Sequence, residues 1–232
     1  MLQDLKVREV TPPQVKEFAP NVKLHRGFSN YLFKMALVSN ERTQAADKYE
    51  QITKVLEEIY SYKKLLKDYT DYSLFVTGHS LGGALAQIFA FTLAGSELGK
   101  RIIPKKPVTA FTYASPECGG IPYMDAFNKL EKEGQLRHLR FSNQGDCVPI
   151  LVSRLRPFIS KRGQPGINIH VYPDKKADVG YNQMIMFFYN LFNTSNVLTK
   201  HSPGDYKDNL LEHNPDILAK SVEELYAQYV FN

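Results

Sequence analysis

The spacing of hydrophobic and polar residues changes repeatedly along the chain. Short apolar or alternating runs bounded by polar turns predict buried strands. These runs are residues 72–77, 107–113, 135–141 and 167–172. Between them, apolar residues recur at the spacing of an amphipathic helix. Strands that alternate with helices predict an α/β fold with a mostly parallel central sheet and helices on both faces.

The helical spacing is clearest in a long segment from about Glu41 to Tyr69. Its apolar positions predict one face packed on a core, opposite a face of Lys, Glu and Gln. Those positions are Ile52, Val55, Leu56, Ile59, Leu65 and Leu66. Residues 1–24 contain three prolines and predict an irregular lead-in. The other predicted helices are 83–91, 122–133 and 215–229, with an apolar helix or lid-like segment at 182–193.

The sequence Gly78-His-Ser-Leu-Gly82 lies between a predicted strand and a predicted helix. This context is typical of a nucleophile elbow, in which Ser80 occupies a strained turn with an exposed hydroxyl. A side chain at Gly78 or Gly82 is expected to clash, because strand and helix approach closely there. The N–H of Leu81, at the start of the helix, is the expected oxyanion donor. A purely structural turn is the alternative.

A nucleophilic serine needs a histidine base, and the histidine needs an orienting carboxylate. Asp146 follows a predicted strand in a polar turn, and His201 lies in a turn near the end of the chain. Both are therefore expected at the carboxyl edge of the sheet, and they are the preferred partners of Ser80. The competing residues are weaker candidates, because they fall in strands, solvated loops or the elbow itself. They are Asp174, Asp178, His79, His138, His170 and His213.

Composition limits the classes of function. The 232 residues suit one domain, 1–232, and the net charge of +5 comes from dispersed cations, so nucleic-acid binding is not expected. The histidines and the two cysteines, Cys118 and Cys147, lack metal-ligand spacing, and no cofactor, metal or disulfide is predicted. With neither a signal peptide nor a membrane-spanning run, the recorded N-terminus predicts a cytoplasmic or membrane-peripheral protein.

Five sequence blocks, which occur in the same order along the chain as in the family, resemble the fungal-type, class 3 family of lipases. Residues 76–84 match the family elbow almost letter for letter, and residues 143–149 resemble its Asn-x-x-Asp-x-Val-Pro block. Residues 24–28 resemble a His-x-Gly-Phe segment whose histidine has a structural role. Residues 111–119 resemble a Gly-x-Pro-Arg-x-Gly block. His201 with Tyr206 resembles the late histidine block. Two positions, Ala114 and Glu117, depart from the family pattern.

The resemblance implies an α/β-hydrolase fold and a Ser80, Asp146 and His201 triad that forms an acyl-enzyme. It also implies lipid esters as substrates, most of all acylglycerols, at a membrane or droplet surface. The family's Arg-Gly-Thr-type oxyanion block should precede His25, and residues 1–24 contain none. The resemblance therefore predicts that the recorded chain is N-terminally incomplete. A substitute donor or an inactive relative would also explain the missing block.

Two other functions stay open at this point. A phospholipase A1 or galactolipase would use the same serine machinery on polar lipids. A lipid-binding pseudo-lipase would lack catalysis. The run 184–192, rich in Met and aromatic residues, could line an acyl pocket or simply form a core helix.

Overall fold

The computed structural model describes residues 8–34, 46–65, 72–150, 164–182 and 197–231. Strands β1 and β2 form a small antiparallel pair, and strands β3 to β7 form the central sheet. The strands are β1 (Glu9–Val10), β2 (Leu24–His25), β3 (Ser73–His79), β4 (Lys105–Tyr113), β5 (Leu136–Asn143), β6 (Ile167–Val171) and β7 (Asp178–Tyr181).

The central sheet keeps its strands in chain order. Strands β3, β4, β5 and β6 run parallel, whereas β7 pairs antiparallel with β6. His79 at the end of β3 lies opposite Tyr113 of β4, and Tyr113 lies opposite Phe141 of β5. The parallel strands therefore end at a common edge, where the loops that follow them meet.

Helices connect the strands and continue after them. Helix α4 joins β3 to β4 through α5, and α6 joins β4 to β5, as expected for parallel crossovers. The described helices are α1 (Pro13–Lys16), α2 (Arg26–Phe33), α3 (Lys48–Leu65), α4 (Leu81–Gly95), α5 (Glu97–Ile102), α6 (Ile121–Lys132), α7 (Val197–Lys200), α8 (Pro203–His213), α9 (Pro215–Leu218) and α10 (Val222–Tyr229). None of them is long and apolar enough to cross a bilayer.

The sheet buries both of its faces. Along β5, Leu136 packs with α4 and α6 in one apolar cluster, whereas Leu139 and Phe141 pack with α8 and α10 in a second. Successive side chains of a strand point to opposite faces, so one alternating strand serves both cores. The predicted α/β architecture, with helices on both faces of a mostly parallel sheet, is confirmed.

The long predicted helix differs from its expected packing. Helix α3 buries Tyr49 and Thr53. Four of the predicted core positions are exposed by 40% to 78%, namely Ile52, Val55, Ile59 and Leu65. Tyr49 makes ring contacts with Phe33 and Phe89, and these contacts turn the neighbouring side of the helix toward the core. Helical spacing alone could not distinguish these two sides.

Three further expectations were wrong in detail. The lead-in is not wholly irregular, since β1, β2 and α1 lie within residues 9–25. The predicted helix 215–229 is two helices, α9 and α10, because Ser221 starts a new helix with a capping box to Glu224. Asp178 begins β7 rather than lying in a loop. The run 184–192 lies outside the described residues.

Candidate active site

Ser80 occupies the turn between β3 and α4 in a strained backbone conformation. Its φ and ψ are 57° and −125°, a region that non-glycine residues rarely adopt. The N–H of Ser80 donates to the carbonyl of Tyr113, at 2.9 Å, which ties the turn to the end of β4. Strain of this kind persists only where its surroundings enforce it, and it is frequent at functional sites.

Of the two glycines predicted to leave no room for a side chain, one behaves as predicted and the other does not. A Cβ at Gly78 would lie 2.2 Å from the carbonyl oxygen of Gly82, so the predicted clash at Gly78 is confirmed. A Cβ at Gly82 would meet nothing within 4 Å, and the clash predicted there was wrong. The second close approach is at Gly83, where a Cβ would lie 2.9 Å from the Cβ of Ser115. The lack of a side chain at Gly83 therefore lets the start of helix α4 approach the segment that follows β4.

The three side chains predicted to act together lie within hydrogen-bond distance. The Oγ of Ser80 lies 2.9 Å from Nε2 of His201, and Nδ1 of His201 lies 2.9 Å from Oδ2 of Asp146. Asp146 is 1% exposed, in the loop after β5, and His201 lies in the turn between α7 and α8. Residues 121 positions apart thus meet at the carboxyl edge of the sheet.

The partners fix the tautomer of a neutral His201. A carboxylate only accepts hydrogen bonds, so Nδ1 must carry the hydrogen that is donated to Asp146. The other ring nitrogen, Nε2, is then an acceptor for the Ser80 hydroxyl. The backbone N–H of Val148 donates to Oδ1 of Asp146 at 2.9 Å, and this bond orients the carboxylate from its other oxygen. The arrangement can remove a proton from Ser80 and stabilise the resulting imidazolium.

Tyr206 and Asn143 support the carboxylate and were not singled out as site residues. The Tyr206 hydroxyl donates to Oδ2 of Asp146 at 2.7 Å and accepts from the backbone N–H of Asn143 at 3.0 Å. Burial, followed by the charge of Asp146, raises the pKa of Tyr206 well above its ordinary value, so the phenol remains a donor. The Asn143 amide donates to the carbonyl of Lys200, next to His201. The asparagine of the Asn-x-x-Asp block, Asn143, was the sequence feature that could have identified a supporting residue beside Asp146.

His79 lies beside His201, and its ring makes no hydrogen bond to Ser80. Its Nε2 lies 2.8 Å from the carbonyl oxygen of His201, and the two rings are 4.6 Å apart. A carbonyl only accepts, so Nε2 of His79 is the donor. Burial lowers the pKa of His79, which favours the neutral ring. The expectation that His79 packs beside the strand ends rather than serving as the base agrees with this geometry.

The expected oxyanion donor is at the start of α4. Leu81 is the first residue of that helix, and the first N–H groups of a helix have no intrahelical acceptor. The positive end of the helix dipole also lies at this point and favours a developing anion.

The competing histidines and aspartates have other surroundings. His138 is buried between Thr112 and the carbonyl of Pro165, and His170 contacts Ser142. Burial lowers the pKa of His138 to about 3 and of His170 to about 4.

The remaining candidates also have other surroundings. His213 ends α8, rather than lying in a surface turn, and contacts the carbonyl of Pro173. His25 packs on Phe28, Asp174 is exposed, and Asp178 bonds Tyr172.

The two cysteines are unpaired. Cys118 is buried against the carbonyl of Ala84, and Cys147 is half-buried beside Asp146. Within the described ranges, no three histidine, cysteine or acidic side chains are grouped as metal ligands.

The fold and the Ser80 geometry define a serine-hydrolase-like α/β protein, and comparison with known proteins identifies its family. The family model described as lipase (class 3) matches residues 3–155. The chain belongs to the class 3 lipase family, and the resemblance drawn from the sequence is confirmed.

The chain is similar to two plant phospholipases and to one fungal lipase structure. It is 34% identical to phospholipase A1-II 6 of Oryza sativa subsp. japonica over 60% of this chain and 34% of that protein. It is 36% identical to chloroplastic phospholipase A1-Igamma1 of Arabidopsis thaliana over 56% of this chain and 24% of that protein. The lipase structure from Rhizopus microsporus var. chinensis shares the fold, with a TM-score of 0.55 and 19% sequence identity. The match covers 86% of this chain and 58% of the lipase chain. The matched regions span about a quarter to a third of the two plant proteins.

Proposed function

We propose that this chain hydrolyses carboxylic esters of lipids, with Ser80 as nucleophile, His201 as general base and Asp146 as the orienting carboxylate. One observation carries the proposal. A continuous hydrogen-bonded path runs from the Ser80 hydroxyl through His201 to Asp146, with two contacts of 2.9 Å. Membership of the class 3 lipase family supplies the reaction class.

The proposed reaction has two halves. The Ser80 oxygen attacks the ester carbonyl carbon while its proton passes to Nε2 of His201. The Leu81 N–H donates to the tetrahedral oxyanion, and Asp146 stabilises the imidazolium. The carbon–oxygen bond to the leaving alcohol breaks as His201 returns the proton to that alcohol. Water, deprotonated by His201, then attacks the acyl-serine, and the fatty acid leaves as Ser80 regains its proton.

Phospholipids and acylglycerols are the two candidate substrate classes. Acylglycerols are the class that the family resemblance implies. The plant relatives, at 34% and 36% identity, are named phospholipases A1, and this similarity favours acyl esters of polar lipids. In either case the substrate is presented at a membrane or droplet surface, and no cofactor takes part.

A lipid-binding pseudo-lipase is the non-catalytic alternative. The strained conformation of Ser80 supports catalysis over this alternative, because such strain costs about 1–3 kcal/mol and gives no benefit to a purely binding surface. The complete path to Asp146 supports the same choice.

The test is hydrolysis of four esters by one preparation: tributyrin, a long-chain triacylglycerol, phosphatidylcholine and a galactolipid. We expect release of fatty acid from phosphatidylcholine or the acylglycerols, and a loss of at least a thousandfold in Ser80→Ala. Ser73→Ala, an exposed serine at the start of the same strand, is the matched control and should retain full activity. Folded protein that binds lipid vesicles but releases no acid from any of the four would favour the pseudo-lipase.

A further inference from the structure

A cavity of about 270 Å³, lined in part by His79, lies beside the proposed catalytic centre. Its described walls include Tyr113 from the end of β4 and residues of α8, and they do not include Ser80 or Asp146. His79 is one of the lining residues, and its Nε2 contacts the carbonyl of His201 at 2.8 Å. The cavity is therefore a neighbour of the reacting groups rather than part of them.

The walls of this cavity are mainly apolar. Leu210 and Leu211 contribute from α8, and Tyr113 and Tyr206 contribute ring faces. Leu211 remains 54% exposed, so an apolar side chain stands at the mouth. Apolar surface left in water favours occupation by an apolar chain. Small-molecule sites occupy roughly 300–1,000 Å³. This cavity, at about 270 Å³, is slightly smaller than that range, so it suits one short chain rather than a whole diacyl lipid.

One cation lies among these apolar groups. Lys207 is exposed and precedes Leu211 by one turn of α8, so the two side chains share a helix face. Within the part of the chain that the structure describes, no carboxylate lies within 4 Å of the Lys207 ammonium, whereas Lys200, the last residue of α7, pairs with Asp205. Apolar walls with one cation at the rim are complementary to a single-chain anionic amphiphile.

We propose that this cavity is a lipid-binding site for a fatty acid, with the hydrocarbon chain against Tyr113, Leu210 and Leu211 and the carboxylate at Lys207. The choice of a fatty acid rests on the proposed function, because ester hydrolysis releases this amphiphile beside the cavity. A bound chain contacts His79, whose Nε2 donates to the carbonyl of His201. Lys207 therefore determines the preference for an anion, and the leucines determine the preference for a chain.

The test is calorimetric titration of Ser80→Ala protein with decanoate and with decanol, both below their aggregation concentrations. We expect one decanoate per chain. Adding Lys207→Gln should weaken decanoate binding about threefold to fivefold, as for an exposed ion pair, and should leave decanol unchanged. Adding Leu211→Asp should weaken both ligands at least tenfold, because it places a charge at the apolar mouth. Lys132→Gln, an exposed lysine on α6, is the matched control.

Identical affinities in the Lys207, Leu211 and Lys132 variants would overturn the site. The fold of each variant is checked by circular dichroism, and the Leu211 position is exposed enough to accept an aspartate. Hydrolysis by the unmodified chain is measured in parallel. If decanoate binds and its affinity depends on Lys207 and Leu211, but no ester is hydrolysed, the proposed function is overturned and the binding site is kept. If esters are hydrolysed but decanoate does not bind in this way, the binding site is overturned and the proposed function is kept.

Discussion

The phenol of Tyr206 and the imidazole of His201 donate to the same carboxylate oxygen of Asp146, at 2.7 and 2.9 Å. Tyr206 lies five residues after His201, in the first turn of α8. The helix that follows the proposed base therefore also fixes the proposed carboxylate. Asp146 is held from its second oxygen by the Val148 N–H, which leaves little freedom to rotate.

Removing the Tyr206 hydroxyl should reduce catalysis without greatly changing substrate binding. In Tyr206→Phe, Asp146 loses one donor and the buried N–H of Asn143 loses its acceptor. We expect kcat to fall about threefold to tenfold with KM nearly unchanged, and stability to fall by about 1–3 kcal/mol. Steady-state kinetics and urea unfolding measure the two effects. Tyr62→Phe, on the exposed side of α3, is the control, and an equal effect of both changes would contradict the positioning role.

The two elbow glycines should respond oppositely to alanine. Gly78→Ala places a Cβ 2.2 Å from backbone, which cannot move without opening the turn, so we expect a loss of several kcal/mol or no soluble protein. Gly82→Ala enters open space near the start of α4, where alanine is the better helix former by up to about 1 kcal/mol. Thermal unfolding of both variants measures this difference. Equal damage by the two substitutions would contradict the observed packing.

Glu131 should make stability depend on pH. Its carboxylate is buried, accepts from Tyr226 and Tyr181, and has a pKa raised by burial to about 7. The unfolded carboxyl titrates near pH 4.3, so between these values the folded protein keeps a proton that the unfolded chain releases. Stability due to Glu131 is therefore full below about pH 4 and is lost as the pH rises to 7. His138 and His170, with lowered pKa values, give the opposite slope below about pH 6.5.

The Glu131→Gln variant separates this effect from the histidines, which are common to both proteins. The free energy of unfolding of the wild type, minus that of the variant, should fall by up to about 1.4 kcal/mol per pH unit between pH 5 and 7. Urea unfolding at four pH values measures it. Glu133→Gln, an exposed glutamate one residue beyond α6, is the matched control. A difference for Glu131 that stays flat, or that equals the difference for Glu133, would contradict titration of the Glu131 carboxyl in that range.

Much of the sheet and the position of the proposed site could be predicted from the sequence. Strands β3 to β6 are apolar runs between turns, and parallel pairing brings the ends of such strands to one edge. Ser80 directly follows β3, and Asp146 lies three residues after the end of β5, so their proximity could be predicted without knowledge of side-chain contacts. His201 was harder, because its position depends on α7 and α8 rather than on a strand.

Other features could not be derived from spacing. The exposed side of α3 and its buried side both carry apolar residues, and only the contacts of Tyr49 decide between them. The glycine that approaches Ser115 is Gly83 rather than Gly82, a difference of one helical position. Two helix starts were available as signals and were missed, since Ser202 before Pro203 and Ser221 before Glu224 are both helix N-cap patterns.

Covalent labelling with an alkyl fluorophosphonate tests the central proposal, a reactive Ser80, most directly. Intact-mass and peptide mass spectrometry should find one phosphonyl group per chain, on Ser80, with none on Ser80→Ala and labelling slowed at least a hundredfold in Asp146→Asn. Folded wild-type protein that stays unlabelled, or that carries the group on another residue, would contradict the assignment of Ser80 as the nucleophile.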